Sequence, residues 1–235
     1  MSDAAYAGRG IHRTAVDGLA RRIFDGSHPE GAVLELPALM TELGVSQTVL
    51  REAVKVLTAK GLLDARPKRG TFVRPAHDWN LLDADVLRWK LDAGPPDCFF
   101  ADLLELRRSV EPAAAALAAD RATAADFADL DAGLALMAGA GRDPDRHAEA
   151  DAAFHTALLA ASHNHFFVQM QRVIVPPLIE RDRKVHAQTF EDPVGIHAAV
   201  VQEIRTGDPD GAYMSVLELL DVAQRYEPAA PPLGD

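Results

Sequence analysis

The chain has 235 residues, enough for two ordinary domains, and its 48% hydrophobic and 25% charged residues are the balance of a globular protein. No apolar run is long enough to span a bilayer, MSDAAYAGRG lacks the apolar core of a signal peptide, and a single cysteine, Cys98, excludes an internal disulfide, which together point to a cytoplasmic protein. The net charge of −11 divides unevenly: residues 1–75 hold 11 Lys+Arg against 8 Asp+Glu, and residues 76–235 hold 13 against 27, so a basic third is joined to a remainder that a polyanion would repel.

Residues 1–10 are small, polar and glycine-rich and read as a disordered start. From Arg13 the apolar positions Val16, Leu19, Ala20, Ile23 and Phe24 recur at helical spacing, and Gly26 ends that helix. Ser27 to Glu35 reads as a turn entering a short extended piece. Leu36-Pro37 then opens a second helix, since proline is tolerated in a first turn. Leu43-Gly44-Val45 turns the chain into a third helix capped by Ser46, with Val49, Ala53, Val54 and Leu57 on its apolar face. A strand, the basic turn Arg66-Pro67-Lys68-Arg69-Gly70 and the strand Thr71-Phe72-Val73 close the segment. The order predicts a winged helix-turn-helix over residues 11–76.

The third helix carries Gln47, Thr48, Arg51 and Lys55 away from its apolar stripe, as a DNA recognition helix does. Gln47 has the amide that pairs with an adenine edge, Ser46 and Thr48 can donate to phosphate, and Arg51 suits a phosphate or a guanine. Lys68 and Arg69 put two cations beside Gly70, where the backbone approaches closely. Any one of these polar residues is explained as well by an ordinary solvated face. The specificity lies in three helices and a basic hairpin arriving in one order.

Residues 77–97 read as a linker and junction helix, with Trp79, Leu82, Val86, Leu87 and Trp89 on one face. From Cys98, a small residue expected to be partly buried, every segment to residue 227 is helical in pattern. The helices run Phe99–Asp120, Thr123 (a capping box with Asp126) to Met137, Arg146–Ser162, His165 to about Arg183, Pro193–Thr206 and Pro209–Tyr226. Pro176-Pro177 is expected to kink or interrupt the fourth of these. Residues 228–235 form a proline-rich, loose tail. The fold class is mainly α: a winged domain followed by an all-α antiparallel bundle, an architecture that places ligand sites among inward polar side chains.

Asp151 and His155 stand at i and i+4 on a face bracketed by Phe154 and Leu158, and His197 lies beside Ile196, Val200 and Ile204. A buried Asp–His hydrogen bond and a structural histidine explain this spacing as well as a ligand site does. Arg107 and Arg108, taken alone, are solvated charges.

LP-x(7)-VS-x-T-x-x-REA-x-x-x-L-x-x-x-GL…RGTFV, over Arg13 to Pro75, resembles the DNA-binding half of the GntR-type bacterial transcription regulators. It departs from that pattern at Gln47, where an arginine is usual, and at Leu39-Met40, where a charged pair is usual. Asp151-x-x-Phe-His155, Ser162-x-Asn164 and His197 before Glu203-Ile204 resemble the all-helical FCD effector domain of the family's FadR branch. The resemblance implies an effector site at Arg107, Asp151, His155 and His197, with Arg107 pairing an effector carboxylate. It also implies a divalent metal, zinc or similar, on Asp151, His155 and His197. The fourth histidine of the family set falls on Leu219, so such an ion would be weakly held. Trp79 to Trp89, with the missing histidine, is similar to the sugar-acid type within this branch.

These readings lead to a homodimeric DNA-binding regulator, not an enzyme. Its partners are double-stranded operator DNA and a small organic acid, a sugar acid first, and its expected role is repression of a catabolic operon. The alternative is a metal-dependent enzyme using the Asp/His site.

Overall fold

The computed structural model describes residues 3–186 and 192–225, with side chains over residues 10–185 and 192–225. It is mainly helical, and the chain forms two compact units, residues 1–95 and 96–235.

The N-terminal unit contains α1 (Asp3–Phe24), α2 (Leu36–Leu43), α3 (Gln47–Ala59), β1 (Leu63–Arg66), β2 (Gly70–Val73) and α4 (Ala84–Asp92). The start expected to be disordered is helical from Asp3, because Ala4, Ala5 and Ala7 favour helix and no proline precedes Pro29. Proline in the first turn opens α2, and Gly44, at φ 63°, ends it in the left-handed conformation. The Ser46 hydroxyl accepts from Val49 N and caps α3. The buried stripe of α3 is Leu50, Ala53 and Leu57, with Val49 and Val54 half-buried at its edges. β1 and β2 pair antiparallel from Leu63↔Val73 to Arg66↔Gly70, and Val33 adds an isolated bridge to Phe72.

α4 is not a linker. Its Val86 and Trp89 sit in the same core as Leu19, Leu39, Leu50, Leu57 and Val73. Two polar ties hold it there. Asp17 on α1 accepts from Arg88 and from Trp89 Nε1, each at 2.8 Å. Lys60, at the end of α3, lies 2.6 Å from the Asp83 carboxylate that caps α4, and 2.9 Å from Asp85. Trp79 lies before the helix, with its Nε1 donating to Arg74 O and its ring edge-on to Phe24. Leu82, expected on the apolar face, is exposed, because it also precedes the helix. Gly61, at φ 84°, is the one position where the turn after α3 demands glycine: a Cβ there would stand 2.5 Å from Asp78 O.

The C-terminal unit is a bundle of α5 (Asp97–Arg121), α6 (Ala124–Gly139), α7 (Pro144–Ala161), α8 (His165–His186), α9 (Val194–Thr206) and α10 (Pro209–Gln224). Its core joins Leu130, Met137, Phe154, Leu158, Val200, Ile204, Val216 and Leu220. Thr123 and Asp126 form the capping box of α6. Gly133 lets α6 approach α7 so closely that a Cβ would meet Phe154 Cα at 3.0 Å. Pro176 and Pro177 do not interrupt α8, which runs on through them, with Ile174 and Leu178 fully buried on either side. Cys98 is exposed rather than partly buried, since the first turn of α5 reaches no core partner until Phe100. The tail expected at 228–235 lies outside the described residues.

Candidate functional site

The N-terminal unit presents Ser46, Gln47, Thr48 and Arg51 at the exposed start of α3. No carboxylate among the described residues pairs with Arg51, whereas Lys55 is held by Glu52 at 2.7 Å. Between β1 and β2, Lys68 takes φ 66° and Gly70 φ 82°. This tight turn exposes Lys68 and lays the Arg69 guanidinium over the Phe72 ring, 3.7 Å from its centroid. The seven residues expected to meet DNA thus lie at the N-terminus of one helix and the tip of one hairpin.

In the C-terminal unit the expected effector residues meet around a cavity of about 290 Å³. α7 contributes Asp151 and His155 one turn apart, α5 contributes Arg107, and the first turn of α9 contributes His197. Arg107 is not a solvated charge. It is 2% exposed, and its Nε donates to Glu111 Oε1 at 2.9 Å and its Nη2 to Glu111 Oε2 at 3.3 Å. Its neighbour Arg108 points away and pairs with Asp221.

The two imidazoles are oriented from behind. His155 Nδ1 lies 3.0 Å from Glu111 Oε2, which draws the ring proton to that side and leaves Nε2 to accept from Arg107 Nη2 at 2.9 Å. His197 Nδ1 lies 2.8 Å from Pro193 O, a carbonyl that only accepts, so this nitrogen carries the proton. In the neutral ring His197 Nε2 then presents its lone pair to Asp151 Oδ1, 3.0 Å away, and no donor among the described residues reaches this buried nitrogen. Two acceptors facing each other repel unless a proton or a cation stands between them. Asp151, His155 and His197 bring their ligand atoms within 4.8 Å of one another. One carboxylate and two nitrogens, each ring braced through its other nitrogen by a carboxylate or a carbonyl, is a donor set that fits a divalent ion, provided Arg107 Nη2 gives up the His155 Nε2 lone pair it now occupies. Leu219 lines the same cavity and supplies no donor.

Burial pushes the Glu111 carboxyl up, but the Arg107 guanidinium and His155 outweigh it and hold the group at about 2. Asp151 is likewise desolvated, yet His155, His197 and Arg107 keep it well below the usual carboxylate range. Asp182 moves the other way. Burial and the neighbouring Asp151 carboxylate push it well above that range, and Arg181 only partly compensates. Sequence reasoning missed Glu111, Arg181 and Asp182. For Glu111 a signal existed, opposite charge at i,i+4 from Arg107. Arg181 and Asp182 sit in the run ERDRK, which reads as solvated.

A winged helix-turn-helix followed by an all-helical unit around a charged, buried cavity defines a two-part DNA-binding transcription regulator. The chain belongs to the GntR family of bacterial regulatory proteins and carries an FCD domain: residues 12–73 match the former and residues 102–222 the latter. It is 32% identical over 215 residues to the galactonate operon transcriptional repressor of Escherichia coli, covering 88% of this chain and 92% of that one. It is 35% identical over 207 residues to the putative L-lactate dehydrogenase operon regulatory protein of the same organism, covering 84% and 79%. Among solved structures it is similar to a GntR protein of Streptococcus agalactiae, with 26% identity, a TM-score of 0.52 and coverage of 92% and 99%. These relatives are regulators, not enzymes, which sets aside the metalloenzyme alternative. No helix among the described residues is long and apolar enough to cross a membrane.

Proposed function

We propose that the protein is a cytoplasmic, homodimeric repressor of a sugar-acid catabolic operon, released from DNA by the acid itself. The observation that carries this reading is the convergence of buried Arg107, His155 and His197 and half-buried Asp151 on one cavity, since so many desolvated polar groups are costly without a ligand to serve. The similarity of nearly the whole chain to a galactonate operon repressor supports the class of acid.

In this reading two winged units, one from each protomer, dock on a palindromic operator. Gln47 and Arg51 meet base edges, Ser46 and Thr48 meet phosphate, and Lys68, Arg69 and Gly70 approach the adjacent backbone or minor groove. Gln47 and Met40 replace basic contacts usual in the family, so binding leans on Arg51 and the wing, and the operator is the protein's own. In the helical unit, Arg107 keeps guanidinium donors that Glu111 does not use and offers them to the effector carboxylate. Asp151, His155 and His197 would hold one divalent ion, which when bound supplies a positive centre for oxygen ligands. Effector binding favours a conformation that fits the operator poorly, in proportion to its preference for that conformation.

Thermal unfolding of the full chain against hexonates, hexuronates and dicarboxylates tests the reading. A hexonate should raise Tm and lower operator affinity together. Stabilisation by none of them would remove the effector claim.

A further inference from the structure

Phe72 is buried without belonging to the core. It is 4% exposed, yet the core of the N-terminal unit takes Leu63 and its strand partner Val73 and not Phe72. Side chains alternate across a strand, so Val73 faces inward and Phe72, paired with Asp64, faces outward. Two guanidiniums lie over that outward ring, Arg69 at 3.7 Å from its centroid and Arg66 at 5.5 Å. The two arginines are not equivalent. Arg66 Nε donates to Asp64 Oδ2 at 3.1 Å, whereas no carboxylate among the described residues pairs with Arg69. The backbone of Arg69 is fixed as well: its N–H donates to Arg66 O at 3.2 Å, and it stands between Lys68 at φ 66° and Gly70 at φ 82°.

A guanidinium stacks through its flat face, and its N–H donors lie in its plane. The ring therefore uses none of the donors by which an arginine grips a phosphate. What it removes is freedom, since an unheld arginine on a hairpin tip loses much of its rotamer entropy when it binds. We infer that Phe72 is a positioning residue for DNA binding: its outward ring holds the Arg69 guanidinium flat and leaves the in-plane donors for a backbone phosphate. This rests on the reading above that Arg69 meets DNA, and deepens it by naming what aims Arg69. A cation over an aromatic face at an exposed site is worth about 2- to 5-fold in an equilibrium constant, and two wings on one palindromic site multiply this to about 5- to 30-fold.

The test is a double-mutant cycle on the full chain. Wild type, Phe72→Leu, Arg69→Ala and the double variant are titrated with a DNA duplex that the wild type selects from a random-sequence library. Phe72→Leu should weaken binding by about 5- to 30-fold when Arg69 is present, and by less than about 2-fold when Arg69 is already alanine. A ring that only shapes the hairpin would weaken binding equally in both backgrounds, and that result overturns the inference. Wild-type affinity in Phe72→Leu, with Arg69→Ala weakened, overturns it too. If Arg69→Ala itself binds as the wild type does, the reading of the wing as a DNA contact fails and takes the inference with it. Proton NMR of the free wild type supplies a readout that needs no variant to fold. The ring current should move the Arg69 Nε–H resonance upfield of that of Arg51, and an unshifted resonance would show that the stack does not exist in solution.

Discussion

Glu111 offers the sharpest test of the electrostatic architecture. Its carboxylate is fully buried and held at about 2 against an ordinary 4.5. A depression of roughly 2.5 units corresponds to about 3 kcal/mol of stability. Because the folded value lies below the unfolded one, this contribution is complete above about pH 4.5 and is lost as the pH falls towards 2. Glu111→Gln removes it at neutral pH and leaves Arg107, 2% exposed, without its counter-charge. Breaking one side of a buried ion pair costs about 3–5 kcal/mol, and the glutamine oxygen, which can still accept one bond, places the expectation at the lower end. Native-state hydrogen exchange at the α5 and α7 amides reports on this unit without interference from the other. The gap between wild type and Glu111→Gln should be about 3 kcal/mol near neutrality and should close as the pH falls, since the wild type then loses the same charge. A variant within about 1 kcal/mol of wild type at neutral pH, or a gap independent of pH, would refute the reasoning.

Three further outcomes are expected. Arg51→Ala should weaken operator binding and reduce the slope of log affinity against log salt by about one if the contact is to phosphate, or relax sequence preference by about 1–3 kcal/mol if it is to a base; unchanged binding in a titration at two salt concentrations would exclude Arg51 from the interface. Elemental analysis should find at most about one divalent ion per chain, lost to a chelator without unfolding and diminished by His197→Ala; an ion that survives chelation would mean a further protein donor. Gly61→Ala should destabilise the N-terminal unit by more than about 1 kcal/mol, because φ 84° and the Asp78 carbonyl at 2.5 Å both oppose a Cβ. A melting temperature equal to wild type would show that the turn relaxes.

Local rules carried most of the fold. Ser46, Gly44 and Thr123–Asp126 announce helix ends through chemistry confined to one turn, and the structure has them as caps. The i,i+4 spacing of Asp151 and His155 put two donors on one face, and His197 joins them in the same cavity. What stayed illegible depends on packing between distant segments. Leu82 and Trp79 fit a helical stripe in sequence, yet the helix starts only at Ala84, after the Asp83 cap tied to Lys60. The two prolines of α8, expected to kink or interrupt it, leave the helix uninterrupted, with Ile174 and Leu178 buried on either side. Arg181 and Asp182 look like any exposed charge run, because nothing in their neighbours says that α8 turns that side to a cavity.

The placement of the two tryptophans has an optical consequence. Trp79 rests edge-on against Phe24 and Trp89 is bonded to Asp17, so the chain's only indoles both belong to the DNA-binding unit. The helical unit is therefore dark when excitation is confined to the red edge of the absorption band. A small molecule entering its cavity does not touch an indole there. Any shift in intrinsic emission on adding such a molecule would then signal, without label or mutation, that occupancy of one unit has been felt in the other.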